Sequence, residues 1–123
     1  MAKTQLLQEV ETELKNFPHK FKVTTDKNYH GIRVDVYAEN KELGKTFFMY
    51  VLDSREPEPL DVINLYTLRR GNNEILKKHN CEYFLLSKGE PGETVKDLSE
   101  ANNIPIFRNI SQFKNAISKY SKN

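Results

Sequence analysis

The 123-residue chain carries 37% hydrophobic and 29% charged residues and a formal net charge of +2, a composition that suits one soluble core and is too apolar for a disordered chain. No run of 18 apolar residues exists, so no membrane span is expected. The near-neutral charge permits a nucleic-acid partner without arguing for one. The start MAKTQLLQEVETEL has no apolar h-region and carries three glutamates, unlike a signal peptide. The single cysteine, Cys81, excludes an internal disulfide framework and suits a reducing cytosol. A single cytoplasmic domain over residues 1–123 is therefore the expectation.

In chain order, Leu6, Leu7, Val10, Leu14 and Phe17 recur at helical spacing, and Thr4 is placed to cap a helix over about residues 4–16. KFKVTT alternates Phe21, Val23 and Thr25 with polar residues, as a half-buried strand does. GIRVDVYA alternates again, predicting Ile32, Val34, Val36 and Ala38 on one face and Arg33, Asp35 and Tyr37 on the other. ENKELG reads as a hairpin loop, and KTFFMYVL, apolar on both faces, as a central strand.

Pro57 and Pro59 close that strand and suit the first turn of a helix carried by Leu60, Ile63, Tyr66 and Leu68. A break is expected near Gly71, with helical character resuming through NNEILKKH. CEYFLLS predicts a buried strand, ETVKDLSEANN a short helix with Val95, Leu98 and Ala101 on one face, and IPIF a short strand. NISQFKNAISKY predicts a last helix capped by Asn109, with Ile110, Phe113, Ala116, Ile117 and Tyr120 inward. The order is α-β-β-β-α-β-α-β-α. The first three strands are close enough for an antiparallel meander, while the last two need helical crossovers and should lie parallel to a neighbour. The fold class is α/β (α+β), a mixed central sheet flanked by helices.

That order, together with the stretches RVDVYA and YVLDSR, resembles the restriction endonuclease-like fold of the PD-(D/E)XK nuclease superfamily, over about Thr4 to Tyr120. The family's pattern is an acid on the second strand, then an acid, any residue and lysine on the third. Asp35 stands at the first acid, and Asp53-Ser54-Arg55 supplies the second half, with 17 residues between the two aspartates. The resemblance implies Mg²⁺- or Mn²⁺-dependent cleavage of nucleic-acid phosphodiesters. Asp35 and Asp53 would hold the metal, Glu13 (with Glu9 second) would be the helix-1 acid that joins them, and Arg55 would hold the scissile phosphate.

The chemistry explains the pattern. A divalent cation neutralises the phosphate and activates water, and hard Mg²⁺ prefers carboxylate oxygens plus waters. Arginine in the lysine's place stays protonated, so it clamps rather than accepts a proton. A second register is open, in which Val51 takes the acid's place and Asp53 the lysine's; there the fold survives without the chemistry. The rival function is accordingly a non-catalytic nucleic-acid-binding or protein-interaction module. A doubly wound nucleotide domain is disfavoured by the early meander and the absent glycine fingerprint.

Arg69, Arg70, Lys77, Lys78 and His79 form a basic stretch. Its two arginines, with Arg55, are the candidate nucleic-acid contacts. The expected partners are DNA or RNA and no membrane. A homodimer is left open, because one small domain does not readily embrace a duplex. Each feature also has a plain structural reading: Asp35 on a solvated strand face, Asp53 as a turn residue before Pro57, and the basic stretch as a solvated helix face.

Overall fold

The computed structural model describes residues 4–18, 20–75 and 80–121. Helix α1 (Gln5–Lys15) starts where Thr4 accepts a hydrogen bond from the Leu7 amide. Strands β1 (Lys22–Tyr29), β2 (Ile32–Asn40) and β3 (Lys45–Leu52) follow, then α2 (Pro59–Ile75), β4 (Asn80–Ser87), α3 (Glu93–Asn102), β5 (Ile106–Phe107) and α4 (Ile110–Ser118), which Asn109 caps. The five strands form one sheet in chain order. β1–β2 and β2–β3 are antiparallel, and β3–β4 and β4–β5 are parallel. This is the mixed, helix-flanked sheet and the element order expected.

β3 is central and buried along almost its whole length, so alternate residues serve two cores. Phe47, Met49 and Val51 pack with Leu6, Val10 and Leu14 of α1 and Phe113 and Ile117 of α4. Phe48, Tyr50 and Leu52 pack with Val62, Leu65 and Leu68 of α2 and Val95 of α3. The result is three layers, with α1 and α4 on one side of the sheet and α2 and α3 on the other.

Five expectations change. β1 does not stop at Thr25 but runs to Tyr29, and the chain reverses through His30 (φ +53°) and Gly31 (φ +86°). Two consecutive left-handed residues make the tight hairpin turn whose twist matches the strands it joins. β2 does not keep one apolar face. Ile32 and Val34 pack on the α2/α3 side, whereas Val36 and Ala38 pack on the α1/α4 side. The change of side falls at Asp35, where the β1–β2 ladder skips a pair opposite Asp26 (φ +53°) and the β2–β3 ladder ends at Val36↔Met49.

α2 runs through Gly71 without a break; a single helical glycine costs only about 1 kcal/mol relative to alanine. Its inward face is Asp61, Val62, Leu65 and Leu68, leaving Leu60, Ile63 and Tyr66 exposed. In α3, Ser99 is buried in place of the exposed Ala101. Lys77, Lys78 and His79 lie outside the described residues.

Candidate functional site

The turning of β2 at Asp35 opens the sheet beside the end of β3. Asp35 Oδ2 accepts the Val51 amide at 2.8 Å, so a side chain continues the pairing that the backbone has given up. Its Oδ1 faces the Arg33 guanidinium at 3.1 Å, and Arg33 also pairs with Asp26 at 2.5 Å. Tyr50 holds this bend from within: its hydroxyl donates to the Arg33 carbonyl at 2.6 Å and accepts from Asn64 Nδ2 of α2 at 3.2 Å. Burial pushes the Tyr50 hydroxyl pKa up, keeping it a donor.

Asp53 follows β3 on the α1 side. One oxygen accepts the Leu6 amide at the start of α1 (3.2 Å), and the other faces Lys88 Nζ at 3.0 Å. A carboxylate at a helix N-terminus meets unpaired amides and the positive end of the dipole. The Lys88 ammonium first, and then the Leu6 amide, hold the Asp53 carboxyl below the usual aspartate range. Lys88 arrives there through the parallel β3–β4 register, which sets Ser87 beside Leu52 and so the next residue beside Asp53.

Thr4, Arg33, Asp35, Tyr50, Asp53 and Arg55 line one open cleft of about 230 Å³. Asp35 and Asp53 are each 15% exposed as side chains, so both are accessible from it yet held in place. Arg55 lines the same cleft but is anchored away from both acids: it makes two parallel 2.8 Å bonds to Asp61 and one to the Glu56 carbonyl. Asp61, buried at the start of α2, also takes the Glu58 amide at 2.7 Å.

The three residues of the sequence motif thus line one cleft, and the remaining candidates do not. Glu13 sits about nine residues up α1 from the cleft, roughly 13 Å at helical rise, and faces Lys114 of α4 at 3.7 Å. Glu9 shares that groove with Glu13 and Lys114. Arg69 and Arg70 lie near the far end of α2, roughly 15 Å along the axis from Pro59, with the Arg69 guanidinium over the Tyr66 ring at 5.5 Å. Among the described residues no group of three or more His, Cys, Asp or Glu side chains is arranged to hold a metal.

Sequence reasoning set Arg33 on the strand face of Asp35, since residues two apart share a side of an extended strand, but gave it no part in the site, and it missed Thr4 and Lys88 as neighbours of Asp53. Lys88 needed the β3–β4 pairing, which no local pattern encodes.

No protein-family model matches the chain, and no curated protein matches it. Among solved structures, an EndoMS–dsDNA2 complex aligns over 89% of this chain and 46% of that one, at TM-score 0.59 and 20% identity. This chain shares the fold of the aligned part of that protein. A repair endonuclease from Pyrococcus abyssi aligns over 89% of this chain and 48% of that one, at 17% identity and TM-score 0.49. The chain spans less than half the length of either protein. Among the described residues no helix is long and apolar enough to cross a membrane.

Proposed function

We propose that this is a nucleic-acid-processing domain of the PD-(D/E)XK type that cleaves DNA phosphodiesters with a divalent cation, Mg²⁺ or Mn²⁺. The observation that carries this reading is that Asp35 of β2 and Asp53, just past β3, line one open cleft. Two carboxylates and room for water fit a hard cation, which needs only one or two protein acids when substrate oxygens complete its shell. The cleft's own lining carries two acids, Asp35 and Asp53, and two cations, Arg33 and Arg55, so a bound metal would compete with Arg33 for Asp35 and with Lys88 for Asp53. When present, the metal would supply charge neutralisation and an acidified water.

The chain's own residues supply the rest. Asp53 stays ionised at neutral pH because Lys88 and the Leu6 amide stabilise its charge. Arg55 has engaged three of its N–H donors, leaving two of the five for a phosphate oxygen. Its fork is held rigid by Asp61, which suits phosphate better than a free side chain would. DNA is chosen over RNA on the strength of the EndoMS complex with dsDNA. Glu13 has no part in this reading.

A second reading, a non-catalytic nucleic-acid-binding module, is favoured by one observation. Asp35 is fixed on the amide of Val51, and Val51 is buried in the core. If the second acid of the motif belongs at Val51, Asp53 stands in the lysine's place. The test is Mg²⁺- and Mn²⁺-dependent cleavage of single-stranded, duplex and branched DNA and RNA by wild type, Asp53→Asn and Arg55→Lys. Cleavage by wild type that falls by orders of magnitude in Asp53→Asn supports the enzyme. Cleavage that survives Asp53→Asn overturns the assignment, and an inactive wild type that still binds nucleic acid establishes the module.

A further inference from the structure

We propose that Lys88 alternates between two partners: the Asp53 carboxylate in the metal-free protein, and a phosphate of the DNA once a divalent cation occupies Asp53. This alternation rests on the reading of the cleft as a cation site for DNA cleavage. The main chain of Lys88 is pinned, since its amide donates to the Leu52 carbonyl at 3.2 Å. Its side chain is not: it is 56% exposed and held by one ion pair, to Asp53 at 3.0 Å. A pair whose ammonium stands in water is worth little, so a cation of twice the charge takes the carboxylate from it.

The three cations beside the two acids are not equivalent. Arg55 is locked in its two-bond fork with Asp61. Arg33 would give up Asp35 to a metal and keep Asp26. Lys88 pairs with no second acid among the described residues, so the loss of Asp53 leaves its ammonium without a counter-charge. A second cavity of about 330 Å³ adjoins the cleft and shares Asp53, Ser54 and Arg55 with it, and Glu56, Lys88 and Gly89 complete its wall. A nucleic-acid backbone that crosses from the cleft into this cavity brings a neighbouring phosphate to Lys88. Cation and DNA then strengthen each other's binding by the same factor. Direct contact between metal and phosphate couples them as well, and Lys88 adds a share that one substitution removes.

Calorimetric titration with Mn²⁺, and fluorescence anisotropy of a phosphorothioate-linked DNA duplex that resists cleavage, separate the two roles. Lys88→Met removes the competitor, so it should bind Mn²⁺ alone roughly two- to fivefold more tightly than wild type, yet gain less DNA affinity from Mn²⁺. In Mn²⁺ the salt dependence of its DNA binding should be shallower by about one phosphate contact, and without metal it should match wild type. Lys88→Arg keeps a cation and should keep the wild-type salt dependence in Mn²⁺. Circular dichroism should report unchanged folding for both variants. Mn²⁺ affinity that is unchanged or weaker in Lys88→Met overturns the proposal and leaves the cleavage reading standing. So does an unchanged salt dependence in Mn²⁺, the result expected if the released Lys88 moved to Glu56 instead. A salt dependence already shallower without metal does the same, because Lys88 would then reach phosphate without being released. A wild type that binds no Mn²⁺, or no duplex, overturns both this proposal and the cleavage reading.

Discussion

Asp53 offers the most direct titration of the cleft. Its carboxyl lies below the ordinary aspartate value because of the Lys88 ammonium and then the Leu6 amide. A depressed carboxylate pKa stabilises the fold above the unfolded-state value, near 3.9, and that contribution is lost as pH falls through the folded value. Urea denaturation of wild type and Asp53→Asn should therefore differ most at neutral pH and converge in acid. Lys88→Met should raise the Asp53 pKa seen in a carbon-13 NMR titration; an unmoved value would show that the Leu6 amide alone sets it. Tyr50→Phe removes the hydroxyl between the Arg33 carbonyl and Asn64, and should cost about 1–2 kcal/mol. At this scale the sequence singled out Asp35, within an apolar strand, and Asp53, just after one, and both line the cleft. It did not show their partners. Lys88 and Leu6 meet Asp53 only through β3–β4 pairing and α1 docking.

Secondary elements were legible in kind and less so in phase. α1, β3 and α4 follow their apolar periodicity, and the Thr4 and Asn109 caps stand where the side-chain chemistry puts them. In α2 the apolar count pointed to Leu60, Ile63, Tyr66 and Leu68; Leu68 is buried, but the helix turns Asp61, Val62 and Leu65 inward beside it and leaves the other three exposed. Arg55 and the Glu58 amide compensate the buried carboxylate, so Asp61 can share the inward face with Val62, Leu65 and Leu68. β2 likewise reads as one alternation until Asp35 substitutes a side-chain bond for a ladder bond. Asp61→Ala should destabilise the fold by about 2–4 kcal/mol, since it removes the helix-start acceptor and strands Arg55. Arg55→Lys should cost about 1 kcal/mol, because an ammonium does not reproduce the two parallel bonds. Equal stability of wild type and Asp61→Ala in chemical denaturation would mean that α2 is oriented by its apolar residues alone.

The whole molecule was the most legible scale, because connection lengths alone dictate much of it. A short loop after β2 forces the antiparallel β2–β3 pair, and a helical crossover after β3 forces the parallel β3–β4 pair. The unbroken apolar run of β3 then requires a core on each side of the sheet. What the sequence could not convey is that Glu13 and the Asp35–Asp53 cleft lie more than two helical turns apart, since that depends on which end of α1 meets the sheet edge. The cation reading can be tested on the molecule as a unit. A ligand that binds only the folded state stabilises it by RT ln(1 + [L]/Kd), about 1.4 kcal/mol at tenfold excess over Kd. Mg²⁺ or Mn²⁺ should therefore raise the melting temperature by several degrees in calorimetry, with Ca²⁺ a further oxygen-seeking probe. Asp35→Asn and Asp53→Asn should each abolish the rise, whereas Glu13→Gln, on the remote groove, should preserve it. A metal-induced rise that persists in both aspartate variants would move the cation out of this cleft. A rise lost in Glu13→Gln would bring α1 into the site after all.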